Sequence, residues 1–162
     1  MKQVRPNKVY QFFTMITSLF IASCQMQPAW AQDKPFIDTM GVHLGSIHSN
    51  NYDPVANRAW NNYNPGVYFR HENWVAGTYF NSIRKQSFYA GYVYGLTSNI
   101  DIVFGAVSGY NGPGYRAKPV MPMVVPSFHF PLTDAVSARI NLAVGVGKGS
   151  ATAVNFALEW KL

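Results

Sequence analysis

Apolar and polar residues alternate in short stretches from Met40 to the last residue, and clusters of Asn, Asp, Gly and Pro separate the stretches. A period of two puts successive side chains on opposite faces of a β-strand, and no stretch here has the 3.6-residue period of an amphipathic helix. The pattern predicts eight strands, approximately at residues 40–48, 65–71, 74–82, 86–95, 100–110, 118–130, 135–143 and 152–162. Each is close to the roughly 9–11 residues with which a tilted strand crosses a bilayer.

The segments between the predicted strands differ in length. Residues 49–64 and 110–116 are polar and contain Asn, Gly and Pro, so they predict long loops. Residues 147–150 (GKGS) predict a turn.

The last predicted strand has the clearest alternation. Its apolar positions are Val154, Phe156, Leu158, Trp160 and Leu162, and the residues between them are Asn155, Ala157, Glu159 and Lys161. Such an apolar face is typical of the lipid-facing closing strand of an outer-membrane barrel, and it also suits the final strand of a soluble sandwich. Because every backbone polar group must be paired in a bilayer, a chain without a helix-length apolar span can cross it only as a closed barrel.

The composition favours the barrel over the sandwich. Only 12% of the 162 residues are charged and 15% are aromatic, whereas about a quarter of the residues in a typical soluble domain are charged. Part of the surface is therefore expected to contact something other than water. The net charge of +6 is not clustered into a patch, which argues against nucleic-acid binding.

The start of the chain has the three parts of a secretory signal. Its basic residues are Lys2, Arg5 and Lys8. They precede an apolar stretch at 12–22, too short for a membrane-spanning helix, and Ala-Trp-Ala at 29–31 is a small-x-small cleavage site. We therefore expect residues 1–31 to be a cleaved signal peptide and residues 32–162 to be one β-barrel domain.

Cys24 leaves a second interpretation open, because IASC, which ends at this residue, suits the lipidation site of a bacterial lipoprotein. Cleavage after Ala31 would remove the chain's one cysteine. The mature domain is then expected to have neither a disulfide framework nor a thiol nucleophile.

Three prolines interrupt the predicted strand at 118–130. Pro119, Pro122 and Pro126 cannot donate to a strand ladder, so they belong at edges or bulges. We expect them to leave a local gap in the pairing between strands. The segment is then either a bent loop or a lateral opening through which lipid enters the barrel wall.

The segments NWVAGTYFNSIRKQSFYAGYVYG (73–95), KPVMPMVVPSF (118–128) and VNFALEWKL (154–162) carry a resemblance. Their order, the Asn-Trp opening, the Gly-x-Tyr before the serine, the Ala-Gly-Tyr after it and the spacing of Pro122 and Pro126 resemble the lipid A palmitoyltransferase (PagP) family of Gram-negative outer membranes. The resemblance implies an all-β fold, an eight-stranded antiparallel up-and-down outer-membrane β-barrel, with a hydrophobic acyl-binding interior and lateral gaps at prolines.

The resemblance also implies an activity and a site. Members of the family move a palmitoyl chain from a glycerophospholipid to lipid A. Their serine corresponds to Ser82 and their aspartate to Asn81, while their histidine corresponds best to His48 and next best to His43. Pro122 and Pro126 would then mark the entry of the acyl chain into its binding site.

The chain departs from the family at positions that bear on activity. Asn81 cannot act as a charged orienting group, so any general-base role must fall on a histidine. The family's N-terminal amphipathic helix is not evident at 32–40, and one family proline is replaced within 142–147. Val93 stands where palmitoyl-selective members have glycine at the floor of the acyl pocket, so we expect shorter chains than palmitate, or none.

Acyl transfer needs a base that activates a hydroxyl and donors that stabilise an oxyanion. A histidine can be the base, and a serine can be a nucleophile, a donor or a positioning group. In an up-and-down order the first and third strands run the same way, so His48 and Ser82 would lie at one rim. Solvated rim residues would have the same placement.

The other polar residues carry weaker signals. His43 and His48 are five positions apart, which predicts opposite faces of one strand and disfavours a two-histidine metal site. Neither a metal nor a cofactor is expected. His71 suggests a turn and His129 a wall or lumen position. The loop cations, which either attract lipid A phosphates or are simply solvated, are Arg84, Lys85 and Arg116.

Three functions follow for testing. The first is an outer-membrane acyltransferase in a Gram-negative bacterium, monomeric, with phospholipid and lipid A as its partners and no nucleic acid. The second is a non-catalytic barrel on the same scaffold, which the asparagine at position 81 favours. The third is a lipid A deacylase or esterase, suggested by HSNN at 48–51 followed by NPG at 64–66.

Overall fold

The computed structural model describes residues 37–115, 117–144 and 151–162. Eight strands close into a barrel in the order β1-β10-β9-β8-β7-β6-β5-β4, and β2 pairs only with β3. The strands are β1 (Thr39–His48), β2 (Tyr52–Asp53), β3 (Arg58–Ala59), β4 (Gly66–His71), β5 (Trp74–Phe80), β6 (Gln86–Gly95), β7 (Ile100–Ser108), β8 (Val120–Pro131), β9 (Val136–Ala143) and β10 (Ala153–Lys161). No helix among the described residues is long and apolar enough to cross a membrane.

The predicted fold class, an all-β chain with an eight-stranded antiparallel up-and-down barrel, is confirmed. The predicted long loop at 49–64 contains the small hairpin of β2 and β3. The signal peptide at 1–31 with Cys24, the turn at 147–150 and Arg116 lie outside the described residues.

The connections at the two ends of the barrel have unequal lengths. At one end β4–β5, β6–β7 and β8–β9 are joined by short turns, and Thr39 and Lys161 lie there as a pair. At the other end the connections from β1, β5, β7 and β9 are longer. We call these the short-turn end and the long-loop end.

Side chains alternate between the two faces of the wall. The buried apolar residues Tyr68, Val75, Val93, Val103 and Ala157 form the inner core. Large apolar side chains point outward from β1 and from β4 to β8; among the most exposed are Ile47, Trp74, Phe88, Phe104 and Val124. Apolar residues on the outside and charges inside are the reverse of a water-soluble domain.

A β-bulge in β1 changes which of its residues face inward. His43 pairs with Ala157, and Gly45 pairs with Phe156, so Leu44 has no partner on β10. One extra residue reverses the alternation beyond it. His43 and His48 therefore both line the interior cavity, and the prediction that they occupy opposite faces is wrong.

The wall has a gap between β8 and β9. β8 pairs with β7 from Val120 to Phe128, whereas among the described residues it pairs with β9 over Ser127–Pro131. Leu142 and Ala143 of β9, which lie opposite Pro126 and Val125 in this register, have no β8 partner there. The expected gap in pairing is thus confirmed. The alternative of a bent loop is wrong, because this segment of β8 is a continuous strand.

The prolines explain on which side the gap lies. The amide of His129 donates to the carbonyl of Asn99, 2.8 Å away, just before β7. In an antiparallel ladder adjacent residues direct their backbone groups to opposite neighbours, so Pro122 and Pro126 direct theirs toward β9. They have no N–H to donate there.

Candidate functional site

A cavity of about 120 Å³ lies inside the barrel, and its wall has two chemically different sides. The apolar wall comprises Val75, Val93, Val103, Met123 and Val125, on β5 to β8. The polar wall comprises His43, Ser46, Asn141 and Asn155, on β1, β9 and β10. His48 and Ser82 also line the cavity.

His48 ends β1 at the long-loop end and is 8% exposed. Its Nδ1 lies 2.9 Å from Oδ1 of Asn62, and its ring stacks on Trp60 with centroids 5.5 Å apart. Because the amide oxygen can only accept, Nδ1 carries the proton and Nε2 has a lone pair. In the described part of the chain Nε2 has no hydrogen-bond partner.

Ser82 follows β5 and lies at the same rim as His48, as the strand order predicts. Its carbonyl accepts a hydrogen bond from the amide of Asn61 (2.9 Å), and its side chain interacts with the Tyr110 hydroxyl. The hydroxyls of Tyr110 and Tyr79 are 2.9 Å apart. Burial raises the pKa of Tyr110 above its ordinary value, so this hydroxyl stays protonated and can donate.

Asn81 stabilises its own loop. Its Nδ2 donates to Oγ of Ser87 (2.9 Å) and to the carbonyl of Gly109 (2.8 Å). Its Oδ1 accepts from the amides of Ile83 (3.0 Å) and Lys85 (2.9 Å). The side chain is fully buried and does not line the cavity, so the geometry does not support the predicted catalytic position of Asn81.

His43 lies deeper in the barrel than His48. Its Nδ1 is 3.1 Å from Oδ1 of Asn155, and its Nε2 is 2.9 Å from the hydroxyl of Tyr89. Its ring also contacts Tyr68 at a centroid distance of 4.9 Å. Both ring nitrogens are therefore occupied, and of the two candidate histidines His48 is the one with a ring nitrogen that has no partner among the described residues.

Val93 lies at the short-turn end of the apolar wall. Its amide donates to the carbonyl of Asn73 (2.7 Å), which is in the turn between β4 and β5. The side chain is 4% exposed and faces the cavity. Pro122 and Pro126 do not line the cavity, whereas Met123 and Val125, which lie between them, do.

Five charged or titratable side chains fill the interior at the short-turn end. Arg139 lies 2.6 Å from Asp101 and 3.1 Å from Glu159. His129 lies 2.7 Å from Asp101 and 3.4 Å from Glu159. Arg70 lies 3.7 Å from Asp101 and 3.4 Å from Glu159.

We call this group the ionic cluster. It confirms an interior position for His129 and for the polar face of the last strand, but sequence reasoning did not bring its members together. A signal was present, since Arg70, Asp101 and Glu159 fall near the short-turn ends of predicted strands and Arg139 lies in the middle of a short one. Their mutual contacts depend on the register between strands, which the sequence alone does not specify.

The remaining predicted candidates lie outside the cavity. Arg84 and Lys85 are exposed on the loop after β5, and Nζ of Lys85 donates to the carbonyl of Asn111 (2.5 Å). His71 lies at the short-turn end, 3.6 Å from Asp38. Among the described residues no group of three or more His, Cys, Asp or Glu side chains is arranged to hold a metal ion.

Comparisons with known proteins inform the fold. No family model matches the chain, and no curated protein does. A solved structure described as "De novo design of transmembrane beta-barrels" matches with a TM-score of 0.50 and 12% identity, over 82% of this chain and 100% of that chain. A solution NMR structure of another de novo designed protein has a TM-score of 0.48 and 13% identity, over 80% and 98% of the two chains. At such identity the first likeness shows the fold alone, that of a closed β-barrel.

Proposed function

We propose that this protein is an outer-membrane acyltransferase of a Gram-negative bacterium, similar to the lipid A palmitoyltransferase (PagP) family, that moves an acyl chain from a glycerophospholipid to lipid A. One observation carries the proposal: His48 and Ser82 line the same cavity, Nε2 of His48 has no partner among the described residues, and an apolar wall continues from the two residues into the barrel. A base, a hydroxyl and an apolar chain site are the parts that acyl transfer requires.

The outer surface supports a place in the membrane. Trp74, Tyr92 and Tyr94 are exposed near the short-turn end, while Phe80 and Phe88 are exposed toward the long-loop end. Outer-membrane barrels have aromatic girdles at both interfaces, short periplasmic turns and longer extracellular loops. The long-loop end, and with it His48 and Ser82, would then face the outer leaflet, where lipid A is found.

The gap between β8 and β9 supports a route for the donor lipid. Val125 faces the cavity from the part of β8 that lies opposite Ala143 and has no β9 partner among the described residues, and Met123 faces the cavity beside it. An acyl chain that entered there would meet the apolar wall directly. The glycerol ester could remain at the rim beside His48 and Ser82.

The chemistry needs no external reagent. Nε2 of His48 accepts the proton of a lipid A hydroxyl, and that oxygen attacks the ester carbonyl of the phospholipid. Ser82 and Tyr110 can donate to the resulting oxyanion, since both hydroxyls are at the cavity. When the intermediate collapses, the bond to the glycerol oxygen breaks and the imidazolium returns its proton to that oxygen. The products are acylated lipid A and a lysophospholipid.

The size of the cavity supports an acyl chain shorter than palmitate. One buried water needs about 10–15 Å³ of cavity volume, measured as the space open to a water-sized sphere. The cavity of about 120 Å³ therefore has room for about eight to twelve groups of that size. A methylene group is of similar size. Val93 closes the wall at the far end, where a glycine would leave more depth.

The test is mass spectrometry of lipid A from cells that express the wild type, His48→Ala or Ser82→Ala, with Ser98→Ala in the opposite turn as the matched control. We expect a mass gain of one acyl group in the wild type and in Ser98→Ala only. A mass loss would indicate deacylation instead. Unchanged lipid A, with the folded barrel recovered from the outer membrane, would contradict the enzymatic proposal and favour a non-catalytic barrel.

A further inference from the structure

The segment of Trp60, Asn61 and Asn62 lies against the end of β1, beyond the reach of β4. β4 pairs with β1 only from Thr39 to His43, and beyond the bulge the amide of Ser46 donates to the carbonyl of Asn62 (2.8 Å). A Cβ on Gly45 would lie 2.7 Å from that carbonyl oxygen, so the close approach requires glycine there. The segment is thus fixed to the same strand that carries His48.

This segment contacts both residues of the proposed site. Asn62 hydrogen-bonds Nδ1 of His48 at 2.9 Å, and the Trp60 ring stacks on the imidazole at an interplanar angle of 16°. Asn61 donates its amide to the carbonyl of Ser82 at 2.9 Å. The relative placement of His48 and Ser82 is therefore held by three consecutive residues of a loop.

We propose that Asn62 is the positioning residue of His48. Its side-chain oxygen keeps the proton on Nδ1 and directs Nε2 to the cavity, which is the role that the third member has in serine and cysteine triads. Asn62, and not Asn81, would then orient the histidine as the carboxylate does in a Ser-His-Asp triad. This inference rests on the proposed function for its catalytic consequence, but the geometry that it describes can be measured without activity.

The neutrality of Asn62 makes the proposal specific. An amide orients the ring without favouring the imidazolium by charge, whereas a carboxylate at 2.9 Å would favour the protonated ring. The side chains that hydrogen-bond to His48 or stack on it among the described residues, Asn62 and Trp60, are both uncharged. Neither of these two contacts of His48 supplies a charge that would compensate one introduced at position 62.

The experiment combines NMR and kinetics on the full barrel refolded in detergent micelles. Long-range ¹⁵N–¹H spectra report the tautomer of each imidazole, and a His48→Gln sample assigns the His48 signals. We compare the wild type with Asn62→Leu, which cannot accept, and Asn62→Asp, which accepts and is charged. Asn73→Leu, at the short-turn end, is the matched control.

We expect the wild type and Asn73→Leu to have the His48 proton on Nδ1, and Asn62→Leu to show a mixture of tautomers. The kcat of Asn62→Leu should fall about 10- to 100-fold, and its KM should be nearly unchanged. The fall is smaller than the roughly 10²- to 10⁴-fold that a positioned base contributes, because the base itself remains. In Asn62→Asp the titration of the His48 signals and the acid limb of the pH–rate profile should both move to higher pH. A merely structural role would not produce this joint movement.

The outcomes separate the two proposals. If Asn62→Leu leaves the His48 tautomer unchanged, the positioning role is wrong even where the wild type is active. If the wild type transfers no acyl group but the tautomer and titration respond as stated, the acyltransferase proposal is wrong while the His48–Asn62 pairing stands. A variant that fails to refold is replaced by Asn62→Ser, which is smaller and for which the same loss of the Nδ1 acceptor is expected.

Discussion

The two ends of the barrel interior use the same residue type in different ways. At the short-turn end, His129 has Asp101 at one ring nitrogen and Glu159 near the other. At the long-loop end, His48 has a partner at Nδ1 but no partner among the described residues at Nε2. A polar group whose partners are all in the protein stabilises the fold, whereas one with an unused lone pair can act on a ligand. Substitutions at the two ends should therefore separate stability from activity.

The largest effect is expected at Arg139. Its guanidinium is buried and contacts both Asp101 and Glu159, so Arg139→Leu leaves two carboxylates with fewer cations to balance them. Removal of one partner from a buried ionic group costs about 3–5 kcal/mol of unfolding free energy. Urea unfolding of the refolded barrel, followed by tryptophan fluorescence, measures the change. Lys118→Ala on an exposed loop is the control and should change the value by less than about 0.5 kcal/mol. Equal stability of the two variants would contradict the structural role of the ionic cluster.

His48→Gln should have the opposite profile to Arg139→Leu. Gln can occupy the site but cannot take up a proton near neutral pH, so the transfer rate should fall about 10²- to 10⁴-fold. The substitution should lower the unfolding free energy by only about 1 kcal/mol, because it changes one hydrogen bond and one ring contact. Lipid A mass spectrometry and the same urea titration are run on one preparation. If His48→Gln lost much stability but still transferred acyl groups, His48 would have a structural role like that of the ionic cluster, and the contrast between the two ends would be wrong.

Asn81 distinguishes a loop residue from a catalytic one. Asn81→Asp introduces the residue that the resembled palmitoyltransferase family has at this position. It also removes the side-chain N–H groups that now donate to Ser87 and to the carbonyl of Gly109. A buried carboxylate beside the Gly109 carbonyl should cost about 1–3 kcal/mol in urea unfolding. If the aspartate instead raised the transfer rate at unchanged stability, Asn81 would belong to the catalytic site after all.

Val93 allows a smaller test on the apolar wall. Val93→Gly deepens the cavity at the short-turn end, so the distribution of transferred chains should move toward longer ones. The change in relative kcat/KM is expected to be about tenfold, since one methylene in a pocket contributes about 1–3 kcal/mol. Competition between phospholipids of different chain length measures it. Val107→Gly, also buried but not in the cavity wall, controls for the loss of a β-branched residue from a strand.

Much of the fold was predictable because each strand of a barrel separates two environments. All eight barrel strands lie within about two residues of their predicted bounds. β5 ends at Phe80 instead of residue 82, because Asn81 bonds to its own loop. Gly45, one of two glycines inside the predicted strand at 40–48, was the sequence signal for the bulge that places His43 and His48 on one face.

The site was predictable only in part. The resemblance selected His48 and Ser82, which do line one cavity, while the resemblance itself stays a prediction. Asn62 carries no motif, and its contact with His48 depends on how a long loop returns to the bulged end of β1. Such contacts join residues distant in sequence through local backbone geometry, which periodicity does not report.

The smallest expected effect concerns the gap in the wall. The β8–β9 pairing ends at Ser127 and Asn141. Pro126 and Leu142 are the next residues on the two strands and lie opposite each other across the gap. Pro126→Ala supplies the missing N–H, so one more bond across the gap should raise the unfolding free energy by about 0.5–1.5 kcal/mol. If donor lipid enters here, the same variant should transfer acyl groups from bilayer phospholipid more slowly. Its rate with a short-chain ester dissolved in water should be unchanged, because that substrate can reach His48 from the long-loop end. A variant that is more stable but equally fast with both substrates would show that the gap is not the entrance, and would leave the opening beside His48 and Ser82 as the route into the cavity.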